Sequence, residues 1–308
     1  MRIGRRNLRK GLLAVGCVLG APSAVGLALG GALILSGAFL HLWSKGCLEQ
    51  NRRLITAGPY RYVRNPFYLS NALIDGGICL VIGVAWIGLP FALLWFLAYR
   101  DTIEGEEQTL GSLFPDEYPR YKAAVPRLFP NGRTWPRSDV TGRFSWDNDG
   151  LARGQEYARL VGIALGPAVV VAGAVVRAEG VELFVPGNEV LLAALVALPV
   201  LWVWKLALSE AFRRPETALV PVALGPGGRL FLGFGLTFLA LFLAPRLATL
   251  AVVAAGWAGL ALLDEFAARR AGQGVDRARW RYLRPVALAS AIATGGLTAL
   301  AFGAVAQA

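Results

Sequence analysis

Long apolar stretches alternate with short polar connections along most of this chain. A helix that crosses a bilayer needs roughly 20 apolar residues. Stretches near that length lie at 24–44, 68–85, 86–100, 157–177, 188–208, 229–244, 246–263 and 285–305. A further stretch at 10–21 is shorter and is either a ninth, thin span or a re-entrant segment. The pattern predicts an all-α, polytopic membrane helical bundle with about eight or nine transmembrane helices.

Composition supports this prediction and divides the chain into regions. The 308 residues are 56% hydrophobic and only 17% charged, which is too apolar for an ordinary soluble domain. We expect a membrane core with the candidate chemistry at 1–130, an interfacial linker rich in loop-forming residues at 131–155, and a further membrane helical unit at 156–308. The sequence assigns no role to this last unit.

The distribution of basic residues predicts how the chain lies in the membrane. The net charge is +11, and five of the first ten residues are basic. If the N-terminus is cytoplasmic and all nine segments cross, Arg177 and Arg246 are the basic residues on the outer side. This asymmetry is typical of the positive-inside rule. It predicts a bacterial inner-membrane protein whose basic excess contacts membrane lipids and not nucleic acid.

The candidate chemistry lies in a polar, aromatic strip between two predicted spans. Residues 58–68 read Gly-Pro-Tyr-Arg-Tyr-Val-Arg-Asn-Pro-Phe-Tyr. Two prolines fix their own φ angles and keep the preceding residues out of helix, so the connection should have a defined shape. His41 is the only histidine, which argues against histidine triads and multi-histidine metal sites. We therefore expect no metal cofactor.

Several motifs in order give a specific resemblance. The strip is followed by a predicted helical hairpin, Glu106-Glu107, Tyr118-Pro-Arg-Tyr121 and Val125-Pro-Arg127. Together they resemble the membrane methyltransferases typified by isoprenylcysteine carboxyl methyltransferase and the phospholipid methyltransferases. The resemblance covers roughly residues 24–130. It implies S-adenosylmethionine as the methyl donor and a lipidic or small hydrophobic acceptor.

The residue types suit this donor, which carries a sulfonium, an amino group, a carboxylate and ribose hydroxyls. Glutamates can accept hydrogen bonds from the hydroxyls or the amino group. Either Arg64 or Arg127 can bind the carboxylate through two donors, and Tyr68, Tyr118 or Tyr121 can lie beside the sulfonium. The residues predicted to bind the donor are Tyr62, Arg64, Asn65, Pro66, Tyr68, Glu106, Glu107, Tyr118, Tyr121 and Arg127. Each also has a plainer interpretation, as a topology-setting charge, an interfacial tyrosine or an exposed helix end.

Three residues are predicted to take part in methyl transfer: Glu107, Arg64 and Asp75. Asp75 lies inside a predicted span, on one helical face with Tyr68 and Asn71. Ionisable groups at such positions are costly and are commonly functional, although a hydrogen bond to another helix is the alternative. Glu107 or Asp75 is a candidate to take a proton from an amine acceptor.

The acceptor stays open between several classes. Asn65 stands where isoprenylcysteine methyltransferases usually have histidine, which favours a phospholipid amine or another small lipid over a protein carboxylate. Carboxyl O-methylation of the isoprenylcysteine type and thiol S-methylation remain alternatives. A different class is a non-catalytic membrane scaffold or transporter that keeps a remnant of the motif.

Overall fold

A computed structural model describes residues 5–49, 52–146, 148–152 and 155–180, and the single positions 198, 202 and 205. Within these residues the regular elements are helical, as the pattern predicts. They are α1 (Arg5–Leu19), α2 (Ala24–Cys47), α3 (Pro66–Ile82), α4 (Ala85–Leu113), α5 (Tyr118–Ala124), α6 (Asp149–Ala152) and α7 (Gln155–Glu179), with 3-10 turns at Gly58–Arg61 and Arg137–Asp139. The predicted spans at 229–244, 246–263 and 285–305, and nearly all of 188–208, lie outside the described residues.

The internal contacts divide the chain into two compact units, Met1–Ala152 and Arg153–Ala308. Two helices, Ala24–Cys47 in the first unit and Arg159–Glu179 in the second, are long and apolar enough to cross a membrane. On α2, Leu35 is 72% exposed and Phe39 is 67% exposed. Apolar side chains exposed in this way are stable against the hydrocarbon interior of a bilayer.

Helices α2 and α3 run antiparallel at very short distance because small residues lie where they meet. A Cβ atom added to Gly30 would come within 2.5 Å of the carbonyl oxygen of Gly77. A Cβ atom added to Gly77 would come within 2.6 Å of the Gly30 carbonyl oxygen. Such close approach replaces the hydrophobic drive that helices lack in lipid. The polar strip connects these two closely packed helices, so their contact fixes both of its ends.

Helix α4 is longer than its apolar stretch predicts. The hydrophobic pattern ends near residue 100, yet the helix continues through polar residues to Leu113. Its 29 residues correspond to about 44 Å, well beyond the hydrocarbon thickness of about 30 Å. One helical face remains buried along this length, formed by Phe91, Trp95, Tyr99, Ile103 and Glu107. The extension thus carries Glu106 and Glu107 past the apolar part of the helix.

Helix α1 begins earlier than the apolar stretch at 10–21 suggests. It includes the basic run from Arg5, and Arg9 forms an ion pair with Asp75 on α3, with Nε 2.5 Å from Oδ1. Opposite charges that meet within a bundle compensate each other's desolvation. This pairing holds the basic end of α1 against α3, and it could not be seen from the local pattern.

The segment predicted as an interfacial linker lies within the first unit as far as Ala152, and it is bonded to the end of α2 and to the residues that precede the strip. Thr141 accepts hydrogen bonds from the backbone N–H groups of Thr56 and Ala57, and Ser145 donates to the carbonyl oxygen of Gly46. The side-chain amide of Asn148 donates to the same Gly46 carbonyl oxygen over 2.6 Å. These bonds fix the course of the segment beside the strip.

Candidate functional site

The polar strip has a defined backbone course between α2 and α3. Gly58 has a φ angle of +58°, a conformation that residues with side chains rarely adopt. Pro59 opens the 3-10 turn Gly58–Arg61, and Pro66 is the first residue of α3, where its missing N–H group costs nothing. Asn65 immediately precedes the helix. The proline spacing therefore sets where the loop ends and where its side chains project.

The chain that follows α4 returns to hold the strip in place. Backbone N–H groups of Arg64 and Asn65 donate to the carbonyl oxygens of Pro126 and Arg127. The Arg64 side chain also donates through Nη1 to the carbonyl oxygens of Lys122 and Val125, at 2.7 Å each. These bonds anchor the C-terminal end of α5. Two of the motifs that are distant in sequence thus form one structural unit.

A cluster of charged and polar groups meets at Oε1 of Glu107. Nε of Arg64 lies 3.2 Å from this atom, Nδ2 of Asn65 donates to it over 2.9 Å, and Nε of Arg127 lies 3.6 Å away. The Glu107 side chain is 8% exposed and that of Arg64 is 10% exposed. Charges this deeply buried need paired partners, and the two arginines supply them.

Two atoms of this cluster retain hydrogen-bonding capacity. All three contacts of Glu107 go to Oε1, so Oε2 has no partner among the residues that the structure describes. Nε of Arg127 is buried and makes no hydrogen bond within the same part of the chain. Buried polar atoms are normally satisfied, so each unsatisfied one requires an explanation. A buried N–H donor without a hydrogen bond and a second oxygen on the carboxylate that it faces suit a polar ligand.

Glu106 lies next to Glu107 on α4 but has a different partner, Tyr68 of α3. The hydroxyl of Tyr68 donates to Oε1 of Glu106 over 2.5 Å. The Tyr68 ring contacts that of Tyr99 edge to face at 5.5 Å, and Tyr99 stacks on Trp95 at 4.3 Å. Such faces attract cations, most strongly when water is excluded. A carboxylate that accepts from Tyr68, at the near end of this row of rings, is chemically suited to a group of positive charge.

The remaining predicted donor residues fall into different surroundings. Tyr62 is 41% exposed and stands apart from the glutamates, with the Arg61 guanidinium 5.6 Å from its ring centre. Tyr121 packs in a buried cluster with Leu54, and its hydroxyl donates to the carbonyl oxygen of Tyr60. Tyr118 belongs to the same cluster. Tyr121 therefore stabilises the strip by its hydrogen bond to the backbone of Tyr60, and this contact is distinct from those at Glu107.

Burial changes the acidity of these two tyrosines. Desolvation raises the pKa of Tyr118 to about 12, with the Glu107 charge adding to the rise and the Arg64 charge opposing it. The pKa of Tyr121 also lies well above its usual range, mainly because burial disfavours the phenolate. Both hydroxyls stay protonated at neutral pH and can act only as hydrogen-bonding groups there.

Asp75 lies deeper in the first unit than the glutamates. Tyr68, Asn71 and Asp75 are all buried on α3, as their helical spacing predicts. The partner of Asp75 is Arg9, which also approaches Oδ1 of Asn71 at 3.4 Å. A second polar cluster thus follows the first along one face of α3.

The sequence interpretation missed three residues of these clusters: Arg9, Trp95 and Tyr99. In the sequence, Arg9 belongs to the basic run at the N-terminus, and the two aromatic residues belong to the apolar stretch at 86–100. Trp95 and Tyr99 precede Glu107 at helical spacing, four residues apart on the buried face of α4. Extending that face backward from Glu107 would have identified both aromatic residues. Arg9 had no comparable local signal.

Comparison with known proteins agrees with this arrangement. Residues 24–117 match the family model described as phospholipid methyltransferase. The match covers the strip, α3, α4 and both glutamates, and confirms the resemblance that the motifs indicated. The fold and this match define the class: a helical protein with membrane-capable helices and a phospholipid methyltransferase-like region in its N-terminal unit.

The chain is also similar to a protein that has a name. The chain is 33% identical over 82 residues to the cobalt-zinc-cadmium resistance protein CzcN of Cupriavidus metallidurans. The aligned stretch covers 27% of this chain and 38% of that relative. The chain therefore matches well under half of the relative's length. No solved structure matches the chain.

Proposed function

We propose that the N-terminal unit transfers a methyl group from S-adenosylmethionine to a lipidic or small hydrophobic acceptor, with a phospholipid amine favoured. The observation that carries this proposal is that two adjacent carboxylates are held by hydrogen bonds from different side chains of the strip. Glu107 is held by Asn65 and Arg64, and Glu106 is held by Tyr68. All three partners come from one short strip. The family match at residues 24–117 supports methyl transfer as the type of reaction.

The residues fit the donor by their chemistry. S-adenosylmethionine, when bound, supplies a methyl group on a sulfonium together with its own leaving group. Oε2 of Glu107 can accept from a hydroxyl or amino group, and Nε of Arg127 can donate to a carboxylate. The rings of Tyr68, Tyr99 and Trp95 offer faces to a cation. The other predicted donor residues, Tyr62, Pro66, Tyr118 and Tyr121, remain part of this proposal.

The roles of the chain's own residues follow from their contacts. Arg64 and Asn65 hold the Glu107 carboxylate in one orientation, and Tyr68 does the same for Glu106. Groups held in advance lower the entropic cost of aligning two reactants. An amine acceptor must lose a proton, and we propose Glu107 or Asp75 as the carboxylate that takes it. Methyl transfer itself requires no protein nucleophile.

We further propose that the whole chain crosses a bacterial inner membrane eight or nine times with a cytoplasmic N-terminus. The basic residues support this orientation because few of them then lie on the outer side. The strip and both glutamates would face the cytosol, where the soluble donor is available. The acceptor would enter sideways from the bilayer.

Labelled methyl donor tests this proposal and separates its alternatives. Membranes that contain the full-length protein are incubated with methyl-labelled S-adenosylmethionine and extracted into lipid, protein and volatile fractions. We expect label in lipid, and its loss in Glu107→Gln but not in the control Glu117→Gln, whose glutamate is exposed. Label in protein supports carboxyl O-methylation, and a volatile thioether supports thiol S-methylation. Membranes that transfer no label to any fraction would support a scaffold or transporter.

A further inference from the structure

A second polar cluster lies along α3 from the proposed donor site, where α1 packs against α3 and α4. Nε of Arg9 donates to Asp75 over 2.5 Å, and Nη2 approaches Asn71. Tyr99 lies on the buried face of α4, the helix that packs against α1 here. Because Tyr99 also contacts Tyr68, the cluster adjoins the rings beside Glu106. A methyl acceptor bound at this cluster would lie next to the donor.

The two members of the ion pair differ in accessibility. The Asp75 side chain is 4% exposed, whereas that of Arg9 is 23% exposed. A guanidinium carries five N–H donors, and the contacts of Arg9 with described residues use Nε and Nη2. Nη1 therefore retains its donors, and the carboxylate lies behind the guanidinium. A ligand that enters the cluster meets hydrogen-bond donors and positive charge first.

Trp95 adds an independent observation. Its indole nitrogen is buried and makes no hydrogen bond to any described residue. A buried N–H group without a partner is costly, and a ligand acceptor would satisfy it. Since Trp95 stacks on Tyr99, this donor belongs to the same region as Arg9. Arg9 and Trp95 together provide donors that suit oxygen atoms of negative charge.

We propose that Arg9, paired with Asp75, binds an anionic oxygen group of the methyl acceptor, such as a phosphate or carboxylate, and selects acceptors that carry one. This inference rests on the proposed methyl transfer and concerns the second substrate of the same site. Asp75 neutralises part of the Arg9 charge and fixes its direction, so Asp75 is a positioning residue in this role. An ammonium group would have to displace Arg9 to reach the carboxylate, so with an acceptor bound in this way Glu107, and not Asp75, takes the proton of an amine.

Two probes of equal chain length test the proposal in the full-length protein in maltoside micelles, which contain no phosphate. Calorimetric titration compares dodecyl phosphate with dodecylamine, after subtraction of heats from protein-free micelles. We expect the phosphate to bind at least about tenfold more tightly, as a charge-assisted hydrogen bond allows. Equal affinities, or tighter binding of the amine, would overturn the proposal. Inorganic phosphate binding as tightly as dodecyl phosphate would also overturn it, because the ligand would then be a free anion.

Variants identify the residues responsible. R9Q/D75N removes both charges together and leaves no unpaired buried ion, so we expect a folded protein that has lost the preference. R100Q/D101N removes an exposed Arg–Asp pair from α4 and should retain it. Should R9Q/D75N not fold, Arg9→Lys keeps the charge but removes the planar donor fork, and should weaken dodecyl phosphate binding severalfold. A variant at Arg9 that keeps the full preference would refute the role of this residue. Binding of S-adenosylhomocysteine, measured in the same samples, should be unchanged, and its absence in the wild type would instead refute the proposed methyl transfer.

Discussion

The side-chain amide of Asn65 donates a hydrogen bond to Oε1 of Glu107 over 2.9 Å. The same amide group donates to the carbonyl oxygen of Arg127. One neutral side chain therefore links the strip, the end of α4 and the returning segment. An amide can do this because it offers two donors without adding charge to a site that already holds two arginines and a carboxylate.

Replacing Asn65 by aspartate should disrupt this link. Asn65→Asp places a second carboxylate against Glu107 and removes both donors, so we expect S-adenosylhomocysteine affinity to fall at least about tenfold. Calorimetry on the purified variant measures the change. Asn131→Asp is a matched control because Asn131 is exposed and accepts through its oxygen, which aspartate retains. Equal weakening in both variants would contradict the importance of the Asn65 contact.

Tyr68 provides a test of the second glutamate. Tyr68→Phe keeps the ring against Tyr99 but removes the hydroxyl that Glu106 accepts from. We expect donor affinity to fall by about tenfold or more, because a hydrogen bond to a charged group contributes about 1.5–3 kcal/mol. The unfolding temperature should change little because the ring packing remains. A large drop in that temperature with unchanged affinity would mean that the hydroxyl serves stability alone.

The contact between α2 and α3 predicts how glycine-to-alanine substitutions on α2 change the stability of the protein. Gly30→Ala must push against the Gly77 carbonyl oxygen and should destabilise by about 1–3 kcal/mol. Gly31→Ala, one residue further, meets nothing within 4 Å and should be neutral or slightly stabilising, since alanine favours helix. Thermal unfolding in detergent compares the two. The helix contact would be misassigned if Gly31→Ala were the more damaging change.

The sequence predicts those parts of the fold that local pattern determines. The stretch at 24–44 corresponds to α2 and that at 157–177 to α7. The start of α1 at Arg5 and the polar extension of α4 depend on contacts with residues far along the chain, such as Asp75 and Arg64. A run of charged residues has no hydrophobic periodicity, so the sequence does not show whether it is helical. Hydrophobic periodicity therefore identifies the helices and misses where they end.

The same distinction applies to the candidate site. The motif residues Arg64, Asn65, Tyr68, Glu106 and Glu107 could be nominated together because they match a known order. Their individual contacts depend on the segment that follows α4. Its carbonyl oxygens, at Lys122 and Val125, accept hydrogen bonds from the Arg64 side chain. Tyr62, although adjacent in sequence, projects to the surface because the 3-10 turn directs it there. Position in a motif does not determine the direction of a side chain.

The acidity of Tyr118 predicts a loss of stability at high pH. Its pKa is about 12 in the folded protein and near 10 when the chain unfolds. The neutral form is favoured by folding, so this contribution is complete below about pH 10 and is lost as pH rises toward about 12. Unfolding temperatures measured across this range should fall, and less steeply in Tyr118→Phe. Identical pH profiles in the two proteins would contradict the burial of this hydroxyl.

Calorimetric titration of the folded, detergent-solubilised protein with S-adenosylhomocysteine tests donor binding at Glu107 most directly. We expect saturable heat from the wild type and at least about tenfold weaker binding in Glu107→Gln, because Arg64 and Arg127 lose their common partner. Glu117→Gln should bind as the wild type does. The absence of heat in a wild-type sample that unfolds cooperatively, or full affinity in Glu107→Gln, would contradict a donor site at this carboxylate.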